Sequence, residues 1–360
     1  MLYAAKALLY VVFSVLSGAF VLYSVHPEKR PAVSLHKNVL LVCIILVPLL
    51  SMGPLLQTTF LLGEDFGYSE AFKSILTSFE VGHGWLMLTG ISFLLFFLNV
   101  FNDVREDRFF AVLSLVLMAV MAAAQGYASH AASLNDTGGM AAHTLHLIAV
   151  SVWTGVLIVV GWASKNEEHF SAFYKWFTPV ALICLAAVIG AGIWLMNYIV
   201  PEYYNSWILS YGQALLVKHV LLIAVVFYSI INGIWIARKL NGTTPFHPLK
   251  WIKAESLVMM LIFAATAVMG QQVPPHSIEE TLKTENPSFF FSYFYEGVIT
   301  PEMDVSLHVT AAGMAFAILS AAWYVFAYYI IRRDRSYASA ALLTVFGSLS
   351  LYTAIMLSIN

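Results

Sequence analysis

The chain has 360 residues, of which 60% are hydrophobic and only 11% are charged, against roughly 25% charged residues in an ordinary globular domain. Together with a mean hydropathy of +0.79, this composition excludes a water-soluble globular protein. The net charge of −2 leaves no basic surface for nucleic acid, which we exclude as a partner. Cys43 and Cys184 lie in apolar runs without a CxxC pair, so neither a disulfide framework nor a thiolate metal site is expected.

Apolar runs of membrane-spanning length follow one another along the whole chain. They lie at 4–25, 39–62, 78–100, 109–127, 143–163, 174–198, 209–236, 251–271, 305–331 and 337–358. Because these runs are long and unbroken, whereas the strands of a barrel are short and alternating, we predict an all-α bundle of about ten transmembrane helices. No small-residue cleavage site follows the first run, which we interpret as a retained helix and not as a signal peptide.

Basic residues indicate the orientation of this bundle, because 14 of the 18 Lys and Arg residues fall on alternate connections. These are Lys29, Arg30, Lys37, Arg105, Arg108, Lys165, Lys175, Arg238, Lys239, Lys250, Lys253, Arg332, Arg333 and Arg335. Basic connections stay in the cytoplasm, so both termini are predicted to lie outside. The opposite connections are acidic, and an acidic outer vestibule would concentrate cations.

Two parts of the chain resemble each other. Residues 114–118 (SLVLM) in the fourth run match residues 256–260 (SLVMM) in the eighth, and in both cases a Gly and then a His follow the run. The matches are short, so a parallel internal repeat is a possibility that they leave open.

Histidines concentrate at the predicted outer ends of the helices. Six of the 11 lie there, namely His83, His130, His143, His146, His276 and His308. Neutral imidazole is a common metal ligand, so several of these rings on neighbouring helix ends could hold copper or zinc. Each ring could equally be a structural hydrogen-bond partner between helices. Met140, a thioether three residues before His143, would favour Cu(I).

Three further ionisable residues fall inside or beside the spans. Lys218 lies near the middle of the seventh run, where a basic group needs a partner or a water-filled cavity. Glu80 precedes His83 by three residues and could orient that ring as a hydrogen-bond acceptor. Glu255, near the cytoplasmic end of the eighth run, could pair with a basic neighbour. For Lys218 and Glu255, a structural pair between helices and a role in transport both stay open.

Several ordered motifs resemble one family of membrane proteins. Residues 145–157 (LHLIAVSVWTGVL) resemble the "LHLLAAAVWLGGL" segment of the CopD family of bacterial copper-resistance proteins, and residues 126–131 (GYASHA) resemble its "GHA" helix end. Residues 210–218 (SYGQALLVK) are similar to its "YGRLLLVK" segment, with Gln213 where arginine is usual. Glu255 through Pro275 resembles the family's "E…PP" helix. We therefore divide the single membrane domain into 1–125, a CopD-like core at 126–276, and 277–360.

The resemblance implies a multi-pass protein of the bacterial cytoplasmic membrane that binds copper and carries it inward, with lipid around it and a separate CopC-like copper chaperone as a partner. We assign metal-ligand roles to His146, His130, His308 and His83, with His143 and Met140 as further ligands. Glu80, Lys218 and Glu255 are assigned to the outer coordination shell or to the pathway.

Two other functions remain open. A histidine pair such as His146 and His308 could ligate haem b in an electron-transfer protein, or the chain could deliver copper to a respiratory oxidase. A phosphate loop of the GxxxxGK[ST] type and an HExxH motif are both missing from the sequence, so we expect neither ATP hydrolysis nor a zinc protease, and no enzymatic activity.

Overall fold

The computed structural model describes residues 2–236 and 247–360, with side chains for 2–233 and 247–360. Within these ranges, ten helical segments are long and apolar enough to cross a membrane, with Lys37–Phe66 counted as one segment, and the β-pairing consists of isolated bridges. The prediction of an all-α, multi-pass membrane protein is confirmed. Arg238 and Lys239, which the sequence assigns to a basic connection, lie outside the described residues.

The chain divides into two compact units, Met1–Tyr198 and Ile199–Asn360, whereas the motifs suggested boundaries after residues 125 and 276. The helices of unit 1 are α1 (Leu2–Ser24), α2 (Lys37–Leu50), α3 (Gly53–Phe66), α4 (Tyr68–Ser78), α5 (Glu80–Phe101), α6 (Arg108–Tyr127), α7 (His130–Leu134), α8 (Asp136–Ala163) and α9 (Phe170–Ile199).

The second predicted span is broken into α2 and α3. Pro54 lies in the first turn of α3, where its ring cannot donate a hydrogen bond to the preceding turn. At the end of α2, the carbonyl oxygen of Pro48 accepts a hydrogen bond from Trp85 Nε1 on α5 at 3.0 Å. The break therefore follows from proline, and a side chain of α5 satisfies a carbonyl next to it.

Helices α1 and α8 touch through their backbones. A Cβ atom built on Gly155 of α8 would lie 1.9 Å from the carbonyl oxygen of Ser14 and 2.8 Å from the amide of Gly18 on α1. A Cβ atom on Gly18 would lie 2.0 Å from the carbonyl carbon of Gly155. Ser14 and Gly18 are four residues apart, a spacing of small residues that allows close approach of membrane helices.

Helix α8 begins seven residues before the predicted start of its run, at Asp136 instead of 143. The side chain of Asn135 caps it by accepting a hydrogen bond from the Gly138 amide at 2.8 Å. Gly139 follows in the first turn, where a Cβ atom would lie 1.9 Å from the carbonyl oxygen of Ala131 on α7. The first two turns of α8 are polar and small, so hydropathy alone missed them.

The connections after α1, α5 and α8 meet at one end of unit 1, opposite the start of α5. Arg30, Arg105 and Lys165, one from each connection, line a cavity of about 590 Å³ there. The backbone amide of Lys165 also donates to the carbonyl oxygen of Ala32 at 2.9 Å. Three of the connections that carry basic residues therefore lie together, as the alternating topology predicts.

At this end an ion pair stabilises the turn between α5 and α6. Arg105 donates from Nε to Asp103 Oδ1 at 2.8 Å and from Nη2 to Oδ2 at 2.5 Å. These hydrogen bonds hold the pKa of the Asp103 carboxyl below its ordinary value. The resulting stabilisation is present above about pH 4 and is lost as the pH falls through the lowered pKa.

The ion pair is partly exposed, so it should contribute less than about 1 kcal/mol to the free energy of unfolding. We expect wild-type protein to lose this contribution on acidification. In Asp103→Asn that loss should be absent, so the difference in thermal unfolding temperature between the two proteins should shrink from about pH 5 to pH 3. Glu106→Gln, in the same turn, serves as the control. A constant difference between Asp103→Asn and wild type across this range would contradict the assignment.

Unit 2 contains α10 (Ser210–Ile230), α11 (Pro248–Met269), α12 (Ile278–Thr284), α13 (Phe289–Phe294), α14 (Ala311–Arg332) and α15 (Tyr337–Met356). A π-helical segment, Ile231–Ile236, continues α10. Helix α10 packs against both α11 and α15, and α14 packs against α15. The short helix α13 buries Phe291 in a cluster with Trp207, Ile208 and Met356.

The ninth predicted run starts too early, and α14 begins only at Ala311. Thr310 caps this helix by accepting a hydrogen bond from the Gly313 amide at 2.9 Å. The residues before it are extended and pair with the end of the chain, where the His308 amide donates to the carbonyl oxygen of Ser358 at 2.7 Å. His308 therefore precedes the helix that it was predicted to begin.

Candidate functional site

Four of the predicted histidines lie at one end of unit 1, which we call the histidine end. They are His83 near the start of α5, His130 at the start of α7, and His143 and His146 in the first half of α8. Helices α5, α6 and α8 pack side by side there. A Cβ atom on Gly84, next to His83, would lie 2.5 Å from the Cβ of Ala128 at the end of α6. The grouping expected from topology is therefore present within this unit.

Met140, His143 and His146 follow one another at three-residue intervals on α8. Since residues three apart on a helix are neighbours on its surface, each adjacent pair has Cβ atoms about 5–6 Å apart. Gly126 at the end of α6 lies against this part of α8, because a Cβ atom there would come within 2.8 Å of the carbonyl oxygen of Met140. Two imidazoles and a thioether thus form a stripe that runs from the histidine end into the span.

His146 is held by α9. Its Nδ1 lies 3.2 Å from the carbonyl oxygen of Val188, and the ring edge would be 3.7 Å from a Cβ atom on Gly192. A carbonyl oxygen only accepts, so Nδ1 carries the proton in this contact. In the neutral ring the lone pair is then on Nε2, which is the tautomer that a metal ligand of this orientation requires.

The donors of the histidine end do not form a group of three His, Cys, Asp or Glu side chains in the described part of the chain. Within residues 2–236 and 247–360, no three His, Cys, Asp or Glu side chains come close enough to hold a metal ion together. Glu80 is exposed at the start of α5, and no hydrogen bond between its carboxylate and the His83 ring is found among these residues. No contact in the described structure therefore supports the predicted orienting role of Glu80. The ligand assignments stay predictions.

His308 belongs to unit 2 and is exposed in the extended segment before α14. Its ligand role also stays a prediction. His276 lies in the connection after α11 and is half-buried.

Two ionisable residues of unit 2, Lys218 and His219, lie near the middle of α10. His219 Nδ1 lies 2.7 Å from the hydroxyl oxygen of Tyr203, which precedes α10. Burial raises the pKa of Tyr203 to about 12, so its hydroxyl keeps its proton at neutral pH and can donate to the ring. Lys218, one residue earlier, is half-buried in α10, and the amine has no hydrogen bond or ion pair in the described part of the chain. The predicted partner of Lys218 is therefore not found there.

Glu255 is 2% exposed in the third turn of α11. Its Oε1 accepts a hydrogen bond from Ser229 Oγ at 2.6 Å, and its Oε2 accepts one from Asn232 Nδ2 at 2.6 Å. The suggested basic partner is wrong for the described residues: both donors are neutral. The end of α10 and the π-helical segment face α11 at this depth, and they present a hydroxyl and an amide.

Gln213, the position where the family usually has arginine, is 4% exposed and joins three segments. Its Nε2 donates to the carbonyl oxygen of Trp207 at 2.5 Å. Its Oε1 accepts a hydrogen bond from the hydroxyl of Tyr352 on α15. The amide provides one donor and one acceptor to these two partners, and an arginine could not accept from Tyr352.

Sequence reasoning missed Ser229, Asn232 and Tyr203. Ser229 and Asn232 are small polar residues in an otherwise apolar run, which is also an ordinary feature of helix packing in membranes. Their spacing was the one available signal. Two hydrogen-bonding side chains three residues apart lie on the same face of a helix. Tyr203 lies between predicted spans and carried no signal.

Comparisons with known proteins agree with the motifs. Residues 171–269 match the family described as CopD, copper resistance protein D. The copper transport protein CutJ of Bacillus subtilis (strain 168) is 25% identical over 225 residues. That region is 58% of this chain and 41% of CutJ, so the match spans less than half of that relative. No solved structure matches the chain.

The matched segment begins in α9, includes all of α10 and ends with α11, so it contains Gln213, Lys218 and Glu255. The motifs at 126–131 and 145–157 precede it. The prediction from the motifs is confirmed for part of the chain: residues 171–269, which we call the family segment, match the CopD family.

Proposed function

We propose that the protein binds copper ions and moves them across the bacterial cytoplasmic membrane. The observation that carries this proposal is the CopD match inside a chain with ten candidate spans. The name of the relative, copper transport protein, gives further support. Copper is the cargo in this proposal and not a resident cofactor.

Copper enters at the histidine end of unit 1, which the positive-inside rule assigns to the outer face. His83 and His130, at the starts of α5 and α7, receive the ion there. The α8 stripe then offers two successive pairs of donors, Met140 with His143 and His143 with His146. Thioether and imidazole together favour copper over the harder cations. The ligand role of His308, which belongs to unit 2, remains a separate prediction.

In unit 2, the matched segment holds two further candidates for a role in transport. Lys218 and Glu255 lie within the spans α10 and α11, and ionisable groups at such depth commonly mark the route of an ion. The acidic connections at the outer face raise the local concentration of cations. A separate CopC-like chaperone would deliver the ion to this face.

The test is copper affinity of the purified full chain in detergent, measured by competition with a Cu(I) chelator. We expect His143→Ala/His146→Ala to bind copper at least about tenfold more weakly than wild type, because it removes both imidazoles of the stripe. His36→Ala, at the opposite end of unit 1, is the matched control and should bind as wild type does. Equal affinity in the double variant and the control would overturn the site.

Copper uptake by cells tests the transport step separately. Cells that produce wild-type protein should accumulate more copper than cells that produce the double variant at equal membrane levels. Unchanged cellular copper together with loss of respiratory oxidase activity would contradict transport and favour delivery to an oxidase. A Soret band in the purified protein would instead indicate haem b.

A further inference from the structure

Glu255 is the only Asp or Glu residue in the described spans of unit 2, and it is buried. It lies seven residues into α11, which places it about 10 Å along the helix. An acidic group at such depth is costly to keep and needs either a partner or a function. Its surroundings therefore indicate which protonation states the fold can accept.

Within the described residues, the side chains that donate hydrogen bonds to Glu255 are neutral. Ser229 and Asn232 occupy one carboxyl oxygen each, from the end of α10 and from the π-helical segment. The titratable group near it on α10 is the phenol of Tyr228, whose oxygen accepts a hydrogen bond from Thr344 on α15 at 3.5 Å. Helix α15 contains no Lys, Arg, His, Asp or Glu. On α11 itself, Lys253 lies two residues before Glu255, and Lys250 pairs with Asp334 at 3.5 Å.

A hydroxyl and an amide can serve both protonation states of a carboxyl group. An ionised carboxylate only accepts hydrogen bonds, whereas a protonated carboxyl group must also donate one. Asn232 donates from Nδ2 in the first state and, after a half-turn of its amide, accepts at Oδ1 in the second. A lysine or arginine in its place would hold the carboxylate in the ionised state.

The hydrogen bonds of the Asn232 amide fit this exchange. Its Nδ2 donates to Glu255 Oε2 at 2.6 Å. In the orientation described, Asn232 Oδ1 is buried without a hydrogen-bond partner. A buried acceptor of this kind is uncommon and calls for an explanation. Acceptance of a carboxyl proton after rotation provides one.

Asn232 also lies in the π-helical segment Ile231–Ile236. Single π-helical turns inside longer helices occur frequently at functional sites. The neighbouring Trp251 is fully buried, and its Nε1 likewise has no hydrogen-bond partner. Around Glu255 the structure therefore holds a donor and an acceptor beyond those that the present hydrogen bonds use.

We propose that Glu255 binds and releases a proton inside unit 2, with Ser229 and Asn232 as positioning residues that satisfy both states. In the binding step the carboxylate takes a proton from a hydronium ion, one O–H bond forms, and water is released. Asn232 then accepts from the new O–H group. The site would allow the protein to carry protons, in the same or the opposite direction to its cargo.

The test is infrared difference spectroscopy of the full chain in lipid nanodiscs without copper, titrated from about pH 4 to pH 9. We expect a carboxylic C=O band that grows on acidification, is absent in Glu255→Gln and is unchanged in Glu202→Gln, an exposed acid. Asn232→Ala should move this band to higher frequency, because a hydrogen bond to the carboxyl group is lost. This variant keeps the test valid if Glu255→Gln does not fold.

Two results would overturn the proposal. In one, no titrating band depends on Glu255 or moves in Asn232→Ala. In the other, a band assigned to Glu255 is present at every pH, so that the group never releases its proton. Because the measurement contains no copper, its failure is independent of any failure of the copper-binding test.

Discussion

Replacing Gly155 by alanine should destabilise unit 1 by at least about 3 kcal/mol, or prevent its folding. The added methyl group would overlap the backbone of α1 at Ser14 and Gly18. Backbone atoms cannot turn aside as a flexible side chain can, so the two helices would have to separate. The measurement is the thermal unfolding temperature in detergent, together with the fraction of monodisperse protein in size-exclusion chromatography.

Gly190→Ala is the matched control for this substitution. Gly190 also lies in a membrane-spanning helix, α9, and a Cβ atom there would meet nothing within 4 Å. The free energy of unfolding of Gly190→Ala should differ from that of wild type by no more than about 0.5 kcal/mol. If Gly155→Ala and Gly190→Ala unfolded at the same temperature, the close contact between α1 and α8 would be incorrect.

Gln213→Leu should destabilise unit 2 by about 2–5 kcal/mol. Leucine has a similar volume, but it leaves the carbonyl oxygen of Trp207 and the hydroxyl of Tyr352 without their partner. Each buried group that loses its hydrogen bond costs about 1–3 kcal/mol. The measurement is again thermal unfolding in detergent, with Tyr293→Phe, at a tyrosine that is 73% exposed, as a neutral control.

A double-mutant cycle isolates the contact between Gln213 and Tyr352. In Gln213→Leu/Tyr352→Phe the orphaned hydroxyl is gone, so the double variant should be more stable than the sum of the two single losses predicts. Losses that simply add would show that the two side chains do not interact.

The spans could be predicted because hydropathy alone decides which segments prefer lipid. The ends of the spans could not be predicted from hydropathy where a polar cap and small residues extend a helix. Asn135 and Gly139 extend α8 in this way. The opposite error occurred before α14, where apolar residues at 305–309 pair with the end of the chain instead of joining the helix. In both cases hydrogen bonds, and not hydropathy, decided where the helix begins.

The candidate site shows a similar division. Topology correctly brought His83, His130, His143 and His146 to one end of unit 1, because helix direction alternates with each span. Whether such rings converge depends on helix rotation and rotamers, which the sequence pattern does not contain. For Glu255 a basic partner was suggested because charges in lipid usually pair. The partners are Ser229 and Asn232, which only the packing of α10 on α11 reveals.

Gly155 illustrates how a family-like motif can have a packing origin. It belongs to the segment 145–157 that resembles the CopD family, in which a histidine and a glycine are both prominent. The structure gives His146 a hydrogen bond to α9 and gives Gly155 the backbone contact with α1. Two residues of one motif thus serve two different neighbours on opposite sides of α8.

The division of the chain after Tyr198 has a consequence for the design of fragments. A fragment ending at this boundary keeps the whole histidine end but only the α9 part of the family segment. The complementary fragment keeps Gln213, Lys218 and Glu255 but lacks α8 with its stripe. Neither fragment expressed alone would contain both groups of residues, so the two would have to be produced together for any assay that requires both.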